Sequence, residues 1–457
     1  MIMKAELHDY DIFPKVFPAG KEIKITVKPL GKHAEFKNPE NMTVKIFGLN
    51  DGSPNDYPER HNGTEVPFEF DGSVHFSFTF PTEQRYFVRF FDKETDKRFL
   101  QLSVYALEED LCGRYPFIGD LHMHSFRSDG GQAPEIVAAN YRKYGYDFMA
   151  LTDHRRYYPS LELIDSFKDV PIEMNLIPGE EVHMPKAPRF INDVHIVNFG
   201  GNFSINALVE GSQNEEAGTD KKYRSYNGAD CPDVMTVEQF REEVCALAEK
   251  LDIPEGIERF AYACCVWEFE KIREGGGLGI FCHPYWISNL YQVPVSFTDY
   301  MLETHPFDAF EVLGGEDYYE QNGFQTLKYY EMKSKGINFP IVGSTDTHQS
   351  FNSSKGFVAE TMVFAPQNEK DSIISSIKDY YSVAIDTIGS DYKLVGDYRL
   401  SVYARFLLED FFPLHDELCF EEGRAMKDYA CGVEGAKETL EFIGGRMKKQ
   451  REKYFAF

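Results

Sequence analysis

The sequence lacks the marks of several large classes of protein. No run of about 18 consecutive apolar residues occurs, so no segment reads as a membrane-crossing helix. The opening residues, MIMKAELHDYDIFPKVFPAG, place charges and prolines where a signal peptide needs an unbroken apolar stretch, and a cytoplasmic location is the expectation. Basic side chains are scarce: 48 Lys and Arg stand against 74 Asp and Glu in 457 residues, a formal charge of −26. A surface of that sign repels nucleic-acid backbones and anionic membranes, so neither is expected as the main partner. Eight cysteines are present, but none forms a C-x-x-C pair, which excludes a zinc ribbon and a thioredoxin-type motif. Most should be reduced, buried and apolar in role.

What is there suffices for large cores. Hydrophobic residues make up 42% of the chain and aromatics 15%, which excludes global disorder. The length predicts two to four domains at about 100 to 200 residues each. Residues 1–110 read as short strands between turns: apolar residues alternate in SVHFSFTF (73–80) and QRYFVRFF (84–91), and Asp-Gly pairs at 51–52 and 71–72 supply turn chemistry, with nothing helical between. This predicts an all-β, immunoglobulin-like sandwich. It carries no clustered acids, histidines or Gly-rich loop, so a structural or docking role is expected.

Residues 111–400 have a different texture. Apolar runs ending in polar residues, FIGDLHMH (117–124), DFMALTDH (147–154), MNLIPGEEV (174–182), DVHIVNFGG (193–201), LGIFCHPYW (278–286), DAFEVLGG (308–315) and PIVGSTDTH (340–348), alternate with amphipathic segments. That is the pattern of parallel strands joined by helices. Pro134 suits the first turn of a helix over 134–144, Gly336 closes one over 320–335, and Thr236 with Gln239 forms a capping-box signature for 236–251. The stretch at about 205–275 exceeds any single crossover and reads as an insertion: a polar loop, then helices over 236–251 and about 254–274, expected to cover the strand ends as a lid. Residues 401–457 read as a helical C-terminal extension.

The strand ends carry the chemistry. His122 and His124 end the first, Asp153 and His154 the second, Glu180 and Glu181 the third; His195 lies in the fourth, His283 ends the fifth, and Asp346 and His348 end the seventh. In α/β folds ligands bind at the carboxyl ends of strands, so these residues can converge. Imidazoles mixed with carboxylates suit Zn, Mn or Fe better than Mg or Ca. His122-x-His124 and Asp346-x-His348 each put two side chains on one face, because residues i and i+2 of a strand point the same way.

The series DLHMHSFRSDG, ALTDH, IPGEEV, DVHIV, CHP and STDTH, in this order from Gly119 to His348, resembles the motifs of the PHP family of metal-dependent phosphoesterases (polymerase and histidinol phosphatase domains), in its DLHxHSxxSDG subgroup. The resemblance implies a distorted (β/α)7 barrel holding two or three divalent ions, Zn, Mn or Fe. Carried over by position, it assigns His122, His124, Glu181 and Asp346 to one ion, Glu181, His195 and His283 to a second, and Asp129, His154 and His348 to a third. The family pattern P-G-x-E selects Glu181 over Glu180. Some members carry His where this chain has Asp129, which bears on how firmly the third ion is held.

Other residues stand close in sequence. Asp120 and Asp153 are expected to orient histidines as hydrogen-bond acceptors, since metal-bound imidazoles donate their other N–H to such groups. Glu311 is expected to support the core or a ligand. His183 could bind substrate or donate a proton, and Arg155 and Arg156 suit an anionic substrate group as well as they suit an exposed surface. Tyr157, Tyr158, Tyr285 and Trp286 are candidates for the mouth or for packing. The resemblance implies hydrolysis of a small phosphorylated substrate, a monoester, by a hydroxide held between ions by His122, His124, Glu181 and Asp346. The alternatives are hydrolysis of a carbamate or amide, and an inactive barrel serving as a binding module.

Overall fold

The computed structural model describes residues 4–184, 193–211, 224–314, 319–350, 359–388 and 391–457. The chain divides into two compact units, 1–114 with 401–418 and 445–457, and 115–400 with 419–444. The C-terminal helical segment is thus shared between the units. Among the described residues no helix is long and apolar enough to cross a membrane.

The first unit holds two sheets. One orders strands Tyr10–Phe13, Glu22–Pro29, Val74–Thr79 and Glu69–Phe70; the other orders Val16–Pro18, Arg98–Leu107, Gln84–Asp92, Met42–Gly48 and Thr64–Val66. Alternation decides which face is buried: Gln84, Tyr86, Val88 and Phe90 point inward while their neighbours are partly exposed. Ile25, Val27 and Phe76 of one sheet and Val44, Val88, Phe90 and Val104 of the other enter one buried cluster. Each such side chain contributes about 1.5–3 kcal/mol of transfer free energy. The Asp71-Gly72 turn forms as its residues suggest, with Gly72 at φ +108° and Asp71 accepting from the Ser73 N–H. A short helix, Ala5–Asp9, departs from the all-strand expectation. The C-terminal residues of this unit pack on it: Arg85 donates to Glu409 at 2.7 Å and Asp410 at 2.8 Å.

The second unit is mixed α/β. One sheet orders Asn175–Ile177, Phe148–Ala150, Tyr115–Asp120, Ala359–Ala365, Ser382–Asp386 and Lys393–Val395; the other orders Gly179–Val182, Ile196–Phe199, Leu278–Phe281, Ala309–Leu313 and Ile341–Gly343. Two expectations change here. The segment 174–182 is two strands, because Pro178 has no N–H for a ladder and the chain changes sheet at that residue. Strand Ile196–Phe199 runs antiparallel to both its neighbours, so the strands are not uniformly parallel. Among the described residues the ladders form two sheets rather than one closed barrel. Isolated bridges join the sheets where the polar strand ends lie, Met123 with Thr347 and His154 with Glu181.

Helices flank these sheets where capping predicts them. Pro134 opens Pro134–Lys143, and Thr236 and Gln239 complete a reciprocal capping box for Val237–Lys250. The helix Arg259–Glu274 of the expected insertion packs into the core: Ala263, Cys264, Trp267 and Phe269 are buried with Ile196, Phe281 and Phe310 in one cluster. Much of the polar loop expected at the start of the insertion, residues 212–223, lies outside the described residues.

Candidate metal centre

The site is built from the residues just beyond the strands. Past Tyr115–Asp120 the chain stays extended, tied by the Met123 N–H to the Thr152 hydroxyl and by the His124 N–H to the Thr347 carbonyl. His122 and His124 therefore share a face, with ring centroids 5.3 Å apart. Asp120 braces this segment in a way the sequence did not suggest. It accepts from the backbone N–H groups of His122 and Thr345 and from the hydroxyls of Tyr141 and Thr345, and contacts no imidazole. Burial pushes its carboxyl up to about 7, against those hydrogen bonds. Asp153 likewise holds the next loop, through the backbone and hydroxyl groups of Ser125 and Ser128. The carboxylate that does orient an imidazole is Glu311, whose Oε2 lies 2.9 Å from His122 Nδ1.

Glu180 and Glu181 point to opposite faces of their strand. Glu180 is buried among the Asn198, Ser204 and Asn206 side chains and the Ile205 N–H, pinning the turn after Phe199. Glu181 faces the histidines. Its Oε1 is 2.6 Å from His195 Nδ1 and 3.7 Å from His283 Nε2; its Oε2 is 3.7 Å from His122 Nε2, 3.6 Å from His124 Nε2 and 3.5 Å from His183 Nε2, and also meets His154 Nδ1. Asp346 closes the opposite side, Oδ1 at 2.9 Å from His124 Nε2 and 3.3 Å from His122 Nε2, and Oδ2 at 3.6 Å from His283 Nε2. His195 precedes its strand, and the antiparallel direction of Ile196–Phe199 is what brings it to the end where the others sit. Asp346 at φ +53° and His283 at φ +21° hold left-handed backbone that side chains with a Cβ avoid. Such strain persists only where surrounding structure enforces it, and it gathers at functional sites.

A second, more open group adjoins this one. His154 Nε2 is 3.5 Å from Asp129 Oδ2, and His348 Nε2 is 3.3 Å from Asp129 Oδ1. The His124 ring lies 4.3 Å from each of the His154 and His348 rings. Asp129 is 57% exposed in its side chain, whereas Glu181 is fully buried, so one end of the cluster faces solvent. Arg155 and Arg156 follow His154 directly. Arg155, at φ +59°, donates its N–H to the Glu181 carbonyl, and among the described residues neither guanidinium carries an ion pair. Arg127, by contrast, is held by Glu162. Tyr157 packs inside, its hydroxyl donating to the Gly201 carbonyl, and Tyr285 is buried, whereas Trp286 is partly exposed.

The donors fit divalent cations. Ligand atoms of His124, Asp129, His154 and His348, of His122, His283 and Asp346, and of His122, His124 and Glu181 each lie within 4.8 Å of one another. Among the described residues several are buried without a hydrogen bond: both oxygens of Glu181, His122 Nε2, His195 Nδ1 and His283 Nε2. These atoms are close yet misaligned for hydrogen bonding to each other. A buried lone pair left unanswered costs about 1–3 kcal/mol, so a set of them facing one space calls for a shared partner. The electrostatics agree. Despite burial, the surrounding imidazoles hold Glu181 and Asp346 well below the usual carboxylate range. Burial opposes protonation of His154, but Glu181 and Asp129 push it up to about 10; burial and neighbouring imidazoles lower His124 to about 3. What sequence reasoning could not anticipate is Asn206, whose Oδ1 accepts the His183 N–H from 23 residues away.

No family model matches the chain. The DNA polymerase/3'-5' exonuclease PolX of Bacillus subtilis is 34% identical over 83 residues, which span 17% of this chain and 15% of that protein. Among solved structures, a two-domain protein of Bacteroides vulgatus containing a predicted PHP-like metal-dependent phosphoesterase is 16% identical, with 60% of this chain and 65% of that one covered and a TM-score of 0.37. An amidohydrolase from Chromobacterium violaceum with bound sulfate and no metal is 17% identical, with 50% and 87% covered and a TM-score of 0.31.

Proposed function

We propose that this chain is a metal-dependent hydrolase and that its substrate is a small phosphate monoester. The observation that carries this reading is the convergence of buried, unanswered imidazole and carboxylate atoms around Glu181. His122, His124, Glu181 and Asp346 would hold one ion, Glu181, His195 and His283 a second, and Asp129, His154 and His348 a third. Divalent ions so held supply charge that activates water near neutral pH and offsets the charge of a phosphoryl group. Glu311 keeps His122 turned with Nε2 inward. The exposed side of Asp129 gives a small anion its approach. Arg155 and Arg156, without carboxylate partners among the described residues, are placed in sequence to meet it. The net charge of −26 does not oppose this, because the charge of the filled cluster rather than that of the outer surface governs attraction at the site.

The test is elemental analysis of the purified protein followed by a phosphatase screen on the same preparation. Bound transition metal and phosphate release from some of a panel of nucleotide, sugar and amino-alcohol phosphates are expected. A fully loaded protein that releases no phosphate but cleaves carbamates or amides would replace the phosphoester reading. Protein with less than about one equivalent of metal, unaffected by His124→Ala, would point to a binding module instead.

A further inference from the structure

His154 presents two nitrogens to two different surroundings. Its Nε2 faces Asp129 at 3.5 Å, in the open group with His348. Its Nδ1 faces inward, against Glu181 Oε2 and 2.9 Å from His183 Nε2. An imidazole that binds a cation through one nitrogen must place the proton of its other nitrogen on an acceptor, and that acceptor fixes which nitrogen keeps its lone pair. Glu181 is the nearer group, but its oxygens also face His122, His124, His195 and His283.

We infer that His183 is a positioning residue that accepts the His154 Nδ1–H and thereby keeps the His154 Nε2 lone pair turned toward Asp129 and His348. The inference rests on the metal-centre reading above and adds to it a determinant of the third ion. His183 is held for this task. Its backbone N–H donates to Asn206 Oδ1 at 3.1 Å, and the Asn206 amide donates to the buried Glu180 at 2.9 Å. Glu180, which faces away from the histidines, thus acts on the site through Asn206 and His183. The His183 ring also lies 4.4 Å from that of His195, which limits its rotation.

The test measures ions bound per full-length chain, by elemental analysis and by Zn²⁺ competition with a chelator, in the wild type, His183→Ala and His183→Gln, each checked by circular dichroism. In His183→Ala one ion should bind about 10- to 100-fold more weakly while the others are retained. His183→Gln, whose Oε1 can accept the same proton, should recover most of that affinity. Unchanged affinity in His183→Ala overturns the inference and leaves the metal centre standing. Equal loss in both variants also overturns it, since a direct ligand is not replaced by an acceptor. If His183→Ala does not fold, His183→Gln decides alone: affinity near wild type supports the inference and a lost ion overturns it. A wild type that binds no ion removes the metal-centre reading and the inference with it.

Discussion

Two clusters in the second unit bury charge, and they do so in opposite ways. At one, the fully buried Arg142 donates Nε to Glu422 and Nη1 to the Tyr146 carbonyl and Asp147, while Glu422 also accepts the Glu173 N–H and Asp147 the Ile118 N–H. Among the described residues only Nη2 goes unanswered. At the other, both oxygens of Glu181 lack an aligned donor although imidazoles crowd them. Buried charge that finds its partners within the chain is a structural tie; buried lone pairs aimed at a common space suit a shared ligand. The difference is one of orientation rather than of distance or burial.

Removing the carboxylate that joins the open and buried groups should break the second cluster most. Glu181→Gln keeps the shape and removes the charge. Metal content should fall by the two ions that Glu181 would share, with activity on any substrate found lowered by about 10²–10³-fold. Full metal content in this variant would show that the two clusters are alike after all. Arg142→Met tests the other side. It strands Glu422 and Asp147, and the cost expected from denaturant unfolding is about 3–5 kcal/mol, with ions bound per folded chain unchanged. Loss of metal in step with stability would deny the separation of roles.

How much of this was legible beforehand follows from the range of each interaction. The alternation in Gln84–Asp92, the Thr236–Gln239 cap and the placing of Pro134 are decided within a few residues, and the sequence displays them. The ordered motifs named the histidines and carboxylates that the fold brings together. What escaped was long-range or directional. Asp120 and Asp153 look like partners for histidine rings but brace backbone and hydroxyls, because nearby N–H and O–H donors from Tyr141 and Thr345 and from Ser125 and Ser128 occupy their oxygens. The crossing from one sheet to the other at Pro178 and the reversed direction of Ile196–Phe199 depend on pairing partners far along the chain. The helix Arg259–Glu274 reads as part of an insertion, yet its apolar face is core.

Lys15, in the first unit, sharpens the comparison with the smallest effect. Among the described residues its buried ammonium lacks a hydrogen bond, like the atoms around Glu181, but no converging set of imidazoles faces it; the Tyr454 ring lies 5.0 Å away. Burial lowers its pKa from 10.5 to about 8, the charges of Asp410 and Asp11 opposing the shift. Between these two values the unfolded chain holds a proton that the folded chain has lost, so stability rises with pH across that window. The penalty is in full force below about pH 8 and vanishes above about pH 10.5, and its size is on the order of 3 kcal/mol. Lys15→Met should remove this slope. In paired denaturant titrations the variant's advantage over wild type should be greatest near pH 7 and shrink steadily toward pH 10. A gap of constant size would mean that the ammonium is answered in the folded state, and that an unpaired buried atom is no guide to strain in this protein. A shrinking gap, with metal content untouched, would show that a lone unanswered charge costs stability and that a converging set is needed to make a site.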